Sequence, residues 1–165
     1  MGNFDKSVSL VIGWEGPPTD DPDDAGGPTV FGIAKKSHPG IPWSPTLDQA
    51  KQIYRSGYWV PLHGDDLPNP LALTLFDFAV TQGVSTAILA LQTALRVDVD
   101  GIFGFQTLTA AKHSGPTTVL VVTSARLANF EQAARTRPVN VKYLSGWRNR
   151  ALLAFRESVK MELSA

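Results

Sequence analysis

Apolar side chains recur at helical spacing from the start of the chain. Phe4, Val8, Val11 and Ile12 fall on one stripe, which predicts an amphipathic helix, and at about 100° per residue Glu15 lies in the middle of it. A carboxylate is an unusual occupant of a core-facing stripe, because desolvation disfavours its ionised form. Such a group becomes easier to protonate, finds a cationic partner or lines a cleft. Each outcome suits a general acid. The bland alternatives are a helix that frays before Glu15, or a Lys or Arg from elsewhere that pairs with it.

The pattern then breaks. Asp20, Asp21, Asp23 and Asp24 crowd a segment whose Pro17, Pro18 and Pro22 oppose helix, and Gly26-Gly27 supply the freedom for a sharp reversal. Pro28 to Ile33, with β-branched Thr29, Val30 and Ile33, predicts a short strand or hairpin arm that swings an aspartate and the Thr29 hydroxyl back across the helix end. Glycoside hydrolysis calls for one carboxylic acid to protonate the leaving oxygen and often a second carboxylate to activate water or stabilise the oxocarbenium-like transition state. Glu15 and one loop aspartate can supply that pair.

Helical signals return with Thr46-Leu47-Asp48-Gln49, a capping box with Thr46 as N-cap, followed by Ala50, Ile53 and Tyr54 on one face and an end near Gly57. Tyr58 and Trp59 come next, suited to stacking on sugar rings or to the core. Residues 62–70 read as a linker. Asn69-Pro70 then opens a helix that is apolar on nearly every side from Leu71 to Val80 and ends at Gly83. Asp77 interrupts that run; it faces a cleft or, as the preferred reading, pairs with a basic residue such as Arg148. Ser85 caps a helix with Ala87, Ile88, Leu91 and Leu95 on its buried stripe. Asp98 and Asp100 sit in a turn that resembles a calcium loop only weakly, since no glutamate closes a twelve-residue ring. Further helices are expected over 106–112, 118–134 and 143–163. The last carries Leu144, Trp147, Ala151, Phe155 and Val159 on one face with Arg148 among them, and Arg150, Arg156 and Lys160 away from it. It is basic and amphipathic, which permits contact with a membrane surface, but docking of the apolar face is the expectation.

Composition narrows the choices. The chain has 165 residues, enough for one well-buried core and too few for two comfortable domains. It has no cysteine, which removes disulfides, iron–sulfur clusters and thiolate zinc. His38, His63 and His113 match no zinc-peptidase pattern, no G-x-S-x-G elbow occurs, and there is no P-loop, dinucleotide fingerprint or basic, aromatic-interleaved nucleic-acid face. No cofactor, no metal and no nucleic-acid partner are therefore expected. No run approaches the roughly 18 apolar residues of a membrane span. The first residues lack a basic region and a cleavage site, so Sec export is not expected. Net charge is zero but uneven. Residues 1–111 hold 6 Lys/Arg against 12 Asp/Glu, and residues 112–165 hold 9 against 3, a basic tail able to track an anionic surface or simply a solvated face.

The chain resembles glycoside hydrolase family 108, the muramidases of phage endolysins and related bacterial secretion-associated enzymes. The resemblance rests on Glu15-Gly16, on D-P-x-D-x-G-G-x-T-x-x-G-I at residues 21–33, and on Tyr54-Arg55 and Tyr58-Trp59. It continues through D-F-A-V-T-Q-G at 77–83, Leu91-Gln92, Asp100-Gly101, Gly104, Thr107 and G-W-R-N-R at 146–150. It implies that Glu15 is the catalytic glutamate, and that the second half is a peptidoglycan-binding segment in which D-G-x-x-G-x-x-T is a structural turn. The spacing of Glu15, Asp24 and Thr29 is also similar to the Glu, Asp, Thr arrangement of phage lysozymes of another family. Pro17-Pro18 stands where the family commonly has Gly-Tyr, and Thr81-Gln82-Gly83 where Asn-Ser-Gly is usual, which changes the loop after the acid and a cleft-wall contact.

Taken together, these features predict a mainly α, lysozyme-like, bilobed helical fold with a small β-hairpin after the first helix. Residues 1–66 would form the catalytic lobe and 67–165 a helical peptidoglycan-binding lobe of one integrated fold. The expected activity is hydrolysis of the β-1,4 bond between N-acetylmuramic acid and N-acetylglucosamine, with Glu15, Asp24 and Thr29 catalytic and Tyr58, Trp59 and Gln82 on substrate. The expected protein is a monomer made in the host cytoplasm that acts on the wall in the periplasm after release. A lytic transglycosylase and a non-catalytic peptidoglycan-binding module are the alternatives.

Overall fold

The computed structural model describes residues 3–15, 29–34, 40 and 45–164. The chain divides into two compact units, Met1–Gly57 and Tyr58–Ala165.

The first unit opens with α1, Asn3–Glu15, which buries Phe4, Ser7, Val8 and Val11 as the apolar spacing predicts. Strands β1, Thr29–Val30, and β2, Ile33–Ala34, pair antiparallel, with Thr29 opposite Ala34 and Val30 opposite Ile33. These two-residue strands make up the sheet found among the described residues. The chain reverses through Phe31-Gly32, and both residues have positive φ, 53° and 76°. That pairing of signs is the type I′ geometry whose twist matches a tight hairpin. The reversal expected at Gly26-Gly27 lies outside the described residues.

Helix α2, Leu47–Tyr54, starts where its capping box predicts. The Gln49 amide donates to Thr46 Oγ1 at 3.2 Å and the Thr46 amide to Gln49 Oε1 at 2.8 Å, so two of the helix's orphan donors are satisfied. It buries Ala50 and Tyr54. A wider, π-helical turn over Arg55–Trp59 continues it.

The second unit is built on α3, Asn69–Gln82, buried on every side from Pro70 to Ala79. Its cap is Pro68, one residue before the expected Asn69, a difference within the usual fraying of helix ends. Gly83, at φ 92° and ψ 149°, makes the sharp joint into α4, Val84–Leu95, in a region only glycine occupies without strain. Gly83 therefore caps α4, and Ser85, the expected cap, lies inside it. Helices α5, Phe105–Lys112, α6, Pro116–Thr136, and α7, Val141–Leu163, complete the unit. Helix α3 packs against α4, α6 and α7.

Helix α7 follows the expected face through Leu144, Trp147 and Ala151 and departs from it beyond that point. Ala151, Ala154 and Ser158 are buried, while Val159 is 39% exposed. Small side chains let α7 approach α3 closely, and the Ser158 and Thr74 hydroxyls meet at 2.9 Å in the interior. A seam of small residues carries too weak an apolar signal to set the helix's phase, so Phe155 and Val159 drew the later part of the predicted face one residue out of register.

Candidate functional site

Glu15 is the last residue of α1 and is partly exposed. Its side chain is shaped by the hairpin turn. A Cβ added at Gly32 would collide with Glu15 Cγ and Cδ and with the Tyr54 hydroxyl, so the backbone of the turn lies directly against both side chains. Only glycine permits this approach at a φ of 76°. Tyr54, 2% exposed, reaches up from α2, and its hydroxyl donates to the Phe31 carbonyl at 2.9 Å. Three elements thus converge on one point: the end of α1, the turn between β1 and β2, and the last residue of α2. Nearby, the Arg55 guanidinium lies 5.0 Å from the centre of the Phe4 ring, a cation–π contact that ties the end of α2 to the start of α1.

Asp24 lies outside the described residues, as does the acidic loop that contains it. Thr29 is placed by its backbone, opening β1 opposite Ala34. The other expected substrate contacts belong to the second unit. Tyr58 is partly exposed. Trp59 is corrected to a core role. It is 0% exposed, donates its indole N–H to Asp65 at 2.9 Å, sets its ring edge to Phe76 at 5.4 Å, and packs so tightly on Gly64 that a Cβ there would strike its ring. A ring so enclosed offers no face to a sugar. Gln82 is partly exposed and donates to the Arg126 carbonyl at 3.2 Å, which fastens the end of α3 to α6.

Asp77 is buried and structural, but the partner expected from sequence is wrong. Its carboxylate accepts from Arg126 Nη1 at 2.6 Å and from Arg150 Nε and Nη2 at 2.9 and 2.8 Å. Arg148 instead pairs with Glu131 at 2.7 Å near the surface. Burial lowers the Arg126 pKa from its ordinary value, opposed by the adjoining Asp77 carboxylate. Its Nη2 reaches Thr81 Oγ1 at 3.1 Å, while its Nε is buried with no partner among the described residues.

Sequence reasoning missed Tyr54 and Gly32 as shapers of the site. Their signals were present in the Tyr54-Arg55 pair and in the closing glycine of T-x-x-G-I, but nothing local says which side chain the glycine must accommodate. Among the described residues, no three His, Cys, Asp or Glu side chains converge where a metal ion could be held. No described helix is long and apolar enough to cross a membrane.

Comparison with known proteins gives these positions a context. A family model described as Glycosyl hydrolase 108 matches residues 8–83, and one described as Predicted Peptidoglycan domain matches residues 86–152. The join between them falls at the α3–α4 joint. The expected lobe boundary after residue 66 lies between that join and the break between the compact units at Gly57. No curated protein matches the chain. Among solved structures, SagA of Brucella abortus is 31% identical with a TM-score of 0.73, over 93% of this chain and 95% of that one.

Proposed function

Because the chain belongs to glycosyl hydrolase family 108 and carries a peptidoglycan-binding domain, we propose that it is a muramidase, cutting the β-1,4 bond between N-acetylmuramic acid and N-acetylglucosamine with Glu15 as general acid. The observation that carries this reading is the seating of Glu15. A flexible carboxylate at a helix end is a poor catalyst. This one is packed against a glycine turn that Tyr54 fixes in place, which gives it the narrow range of geometry that proton transfer needs.

In the proposed reaction Glu15 enters protonated and donates to the glycosidic oxygen as the bond to the muramic C1 breaks, and the glucosamine leaves with that proton as its 4-hydroxyl. Asp24 stabilises the positive charge developing at C1 or positions the attacking water, and Thr29 helps to hold that water. The water's oxygen bonds to C1 and its proton passes to a carboxylate. A separation of the two carboxyl groups near 5 Å would favour retention, and one of about 6.5–9.5 Å inversion. Tyr58 and Gln82 are proposed to contact the glycan. We place the activity on the cell wall, reached after release from the cytoplasm.

The test compares wild type with Glu15→Gln in turbidity assays on purified peptidoglycan, with mass spectrometry of the soluble fragments. Clearing by wild type alone, with reducing muramic ends, is expected. Near-normal clearing by Glu15→Gln would remove the general acid, 1,6-anhydro ends would make the enzyme a lytic transglycosylase, and no clearing by either protein would leave a binding module.

A further inference from the structure

Away from Glu15, the second unit holds a column of rings and cations that runs from its core to its surface. At the inner end the buried Arg126 guanidinium lies 5.6 Å from the centre of Phe130. Phe130, 4% exposed, stacks on Trp147 with centroids 5.2 Å apart and planes 25° from parallel. Trp147 stacks in turn on Tyr143 at 5.8 Å and 27°. Tyr143 is 48% exposed, and the Lys142 ammonium lies 4.8 Å from its ring centre.

Packing accounts for the inner members of this column. It does not account for its outer end, where a large ring is held in a fixed plane and left half in water.

Lys142 is the cation at that ring, and the charge along the neighbouring sequence is one-sided. Over residues 130–148 there are four cations, Arg135, Arg137, Lys142 and Arg148, against one carboxylate, Glu131. Glu131 is already engaged by Arg148 at 2.7 Å and Arg135 at 3.8 Å, and these partners hold its pKa below the ordinary glutamate value. The turn that joins α6 to α7 adds exposed Val139 and Val141.

We propose that Tyr143 is a stacking platform for an anionic glycan strand, with one pyranose laid on the ring and a carboxylate of the strand met by Lys142. The C–H face of a pyranose is flat and apolar, matching an aromatic ring. A ring already fixed by Trp147 loses little conformational freedom when it is covered. Lys142 has a flexible stem, so its ammonium leaves the ring and takes a ligand carboxylate as the sugar arrives, exchanging a weak exposed cation–π contact for a charge-assisted one. The peptide stems of peptidoglycan supply such carboxylates, as do the lactyl groups of muramic residues that carry no stem. The identity of the strand therefore rests on the function proposed above, whereas the surface does not depend on Glu15.

Cosedimentation of the full chain with purified sacculi tests this, in a Glu15→Gln background so that the glycan persists. Tyr143→Ala is expected to weaken binding about tenfold, the scale of a lost aromatic stack, while Tyr143→Phe binds as the parent does. Lys142→Gln is expected to weaken binding at low salt and to flatten its salt dependence. Melting temperatures should stay near that of the parent. Unchanged sacculus binding by folded Tyr143→Ala and Lys142→Gln would overturn the proposal. So would parental binding to anionic phospholipid vesicles that Tyr143→Ala abolishes, since the face would then serve a membrane. Clearing by Glu15→Gln itself is scored separately and would sink the general-acid assignment without touching the platform.

Discussion

Phe31 is a bulky residue at φ 53°, a conformation that costs on the order of 1–3 kcal/mol and persists only where the surroundings enforce it. The enforcing contacts are the Tyr54 hydroxyl on the Phe31 carbonyl and the fit of Gly32 against Glu15. Gly32→Ala should push Glu15 from its seat. A displacement of about 1 Å at a catalytic group can cost on the order of 100-fold in rate, so peptidoglycan clearing is expected to drop by that order, and comparison of clearing rates with melting curves will show it. Tyr54→Phe removes only the hydroxyl and should cost about 1 kcal/mol of stability with a smaller loss of rate. If both variants clear peptidoglycan at the parental rate, the turn does not position the acid. Glu15 could be found in the sequence because an acid on an apolar stripe violates a local rule. Gly32 could not, because its task is set by a side chain brought beside it only when the hairpin folds back. Trp59 misled for a related reason: an aromatic next to a candidate site has the same sequence signature whether it faces sugar or core, and the small residue that closes over it, Gly64, lies further along the chain.

The turn between α4 and α5 shows a motif becoming a structural device. Gln92 is 1% exposed, and its amide nitrogen lies 2.7 Å from Asp100 Oδ1, 3.0 Å from the Ile102 carbonyl and 3.2 Å from Thr107 Oγ1. Its oxygen accepts from the Gly101 amide at 2.9 Å. The D-G-x-x-G-x-x-T segment is thus wound around one buried amide, and Gln92→Leu, which strands several of these groups, should cost about 1–3 kcal/mol in urea unfolding. Asp100 has its pKa lowered by the Ile102 amide and then by Gln92. With the folded value below the unfolded one, its contribution is fully present above the ordinary aspartate range and is lost as pH falls through the folded value. Unfolding measured from pH 7 to pH 3 should therefore show stability declining below about pH 4, and Asp100→Asn should flatten that decline. An unchanged slope would mean that Asp100 adds nothing to the turn. At this scale the sequence was informative wherever one element carries its own signal: the Thr46–Gln49 box, the apolar run of α3 and the glycine after it. The later part of the α7 face was not legible, because Ala154 and Ser158 matter through the closeness they allow to α3, which no property of α7 alone reveals.

Across the whole chain, acidic and basic residues are sorted by position, with the candidate catalytic acid in the acidic part and the proposed glycan platform in the basic part. The sorting has a consequence inside the second unit: Asp77 is a single buried carboxylate neutralising two arginines drawn from α6 and α7. Arg126 is 1% and Arg150 15% exposed at the side chain, so little water reaches either cation. Asp77→Asn takes from Arg126 and Arg150 the carboxylate they share, and breaking a buried pair in this way costs about 3–5 kcal/mol. For a chain of this length that corresponds to a fall in melting temperature on the order of 10 °C. Arg148, the partner that helical phase suggested, forms only a surface pair with Glu131, so Arg148→Ala should change stability by less than about 1 kcal/mol. Calorimetry on the two variants decides between the assignments. A large loss for Arg148→Ala together with a small one for Asp77→Asn would restore the sequence-based pairing. The opposite ranking would establish Asp77 as the buried hub that ties α3 to α6 and α7, and Arg148 as a surface residue outside it, two positions from the arginine that reaches the carboxylate.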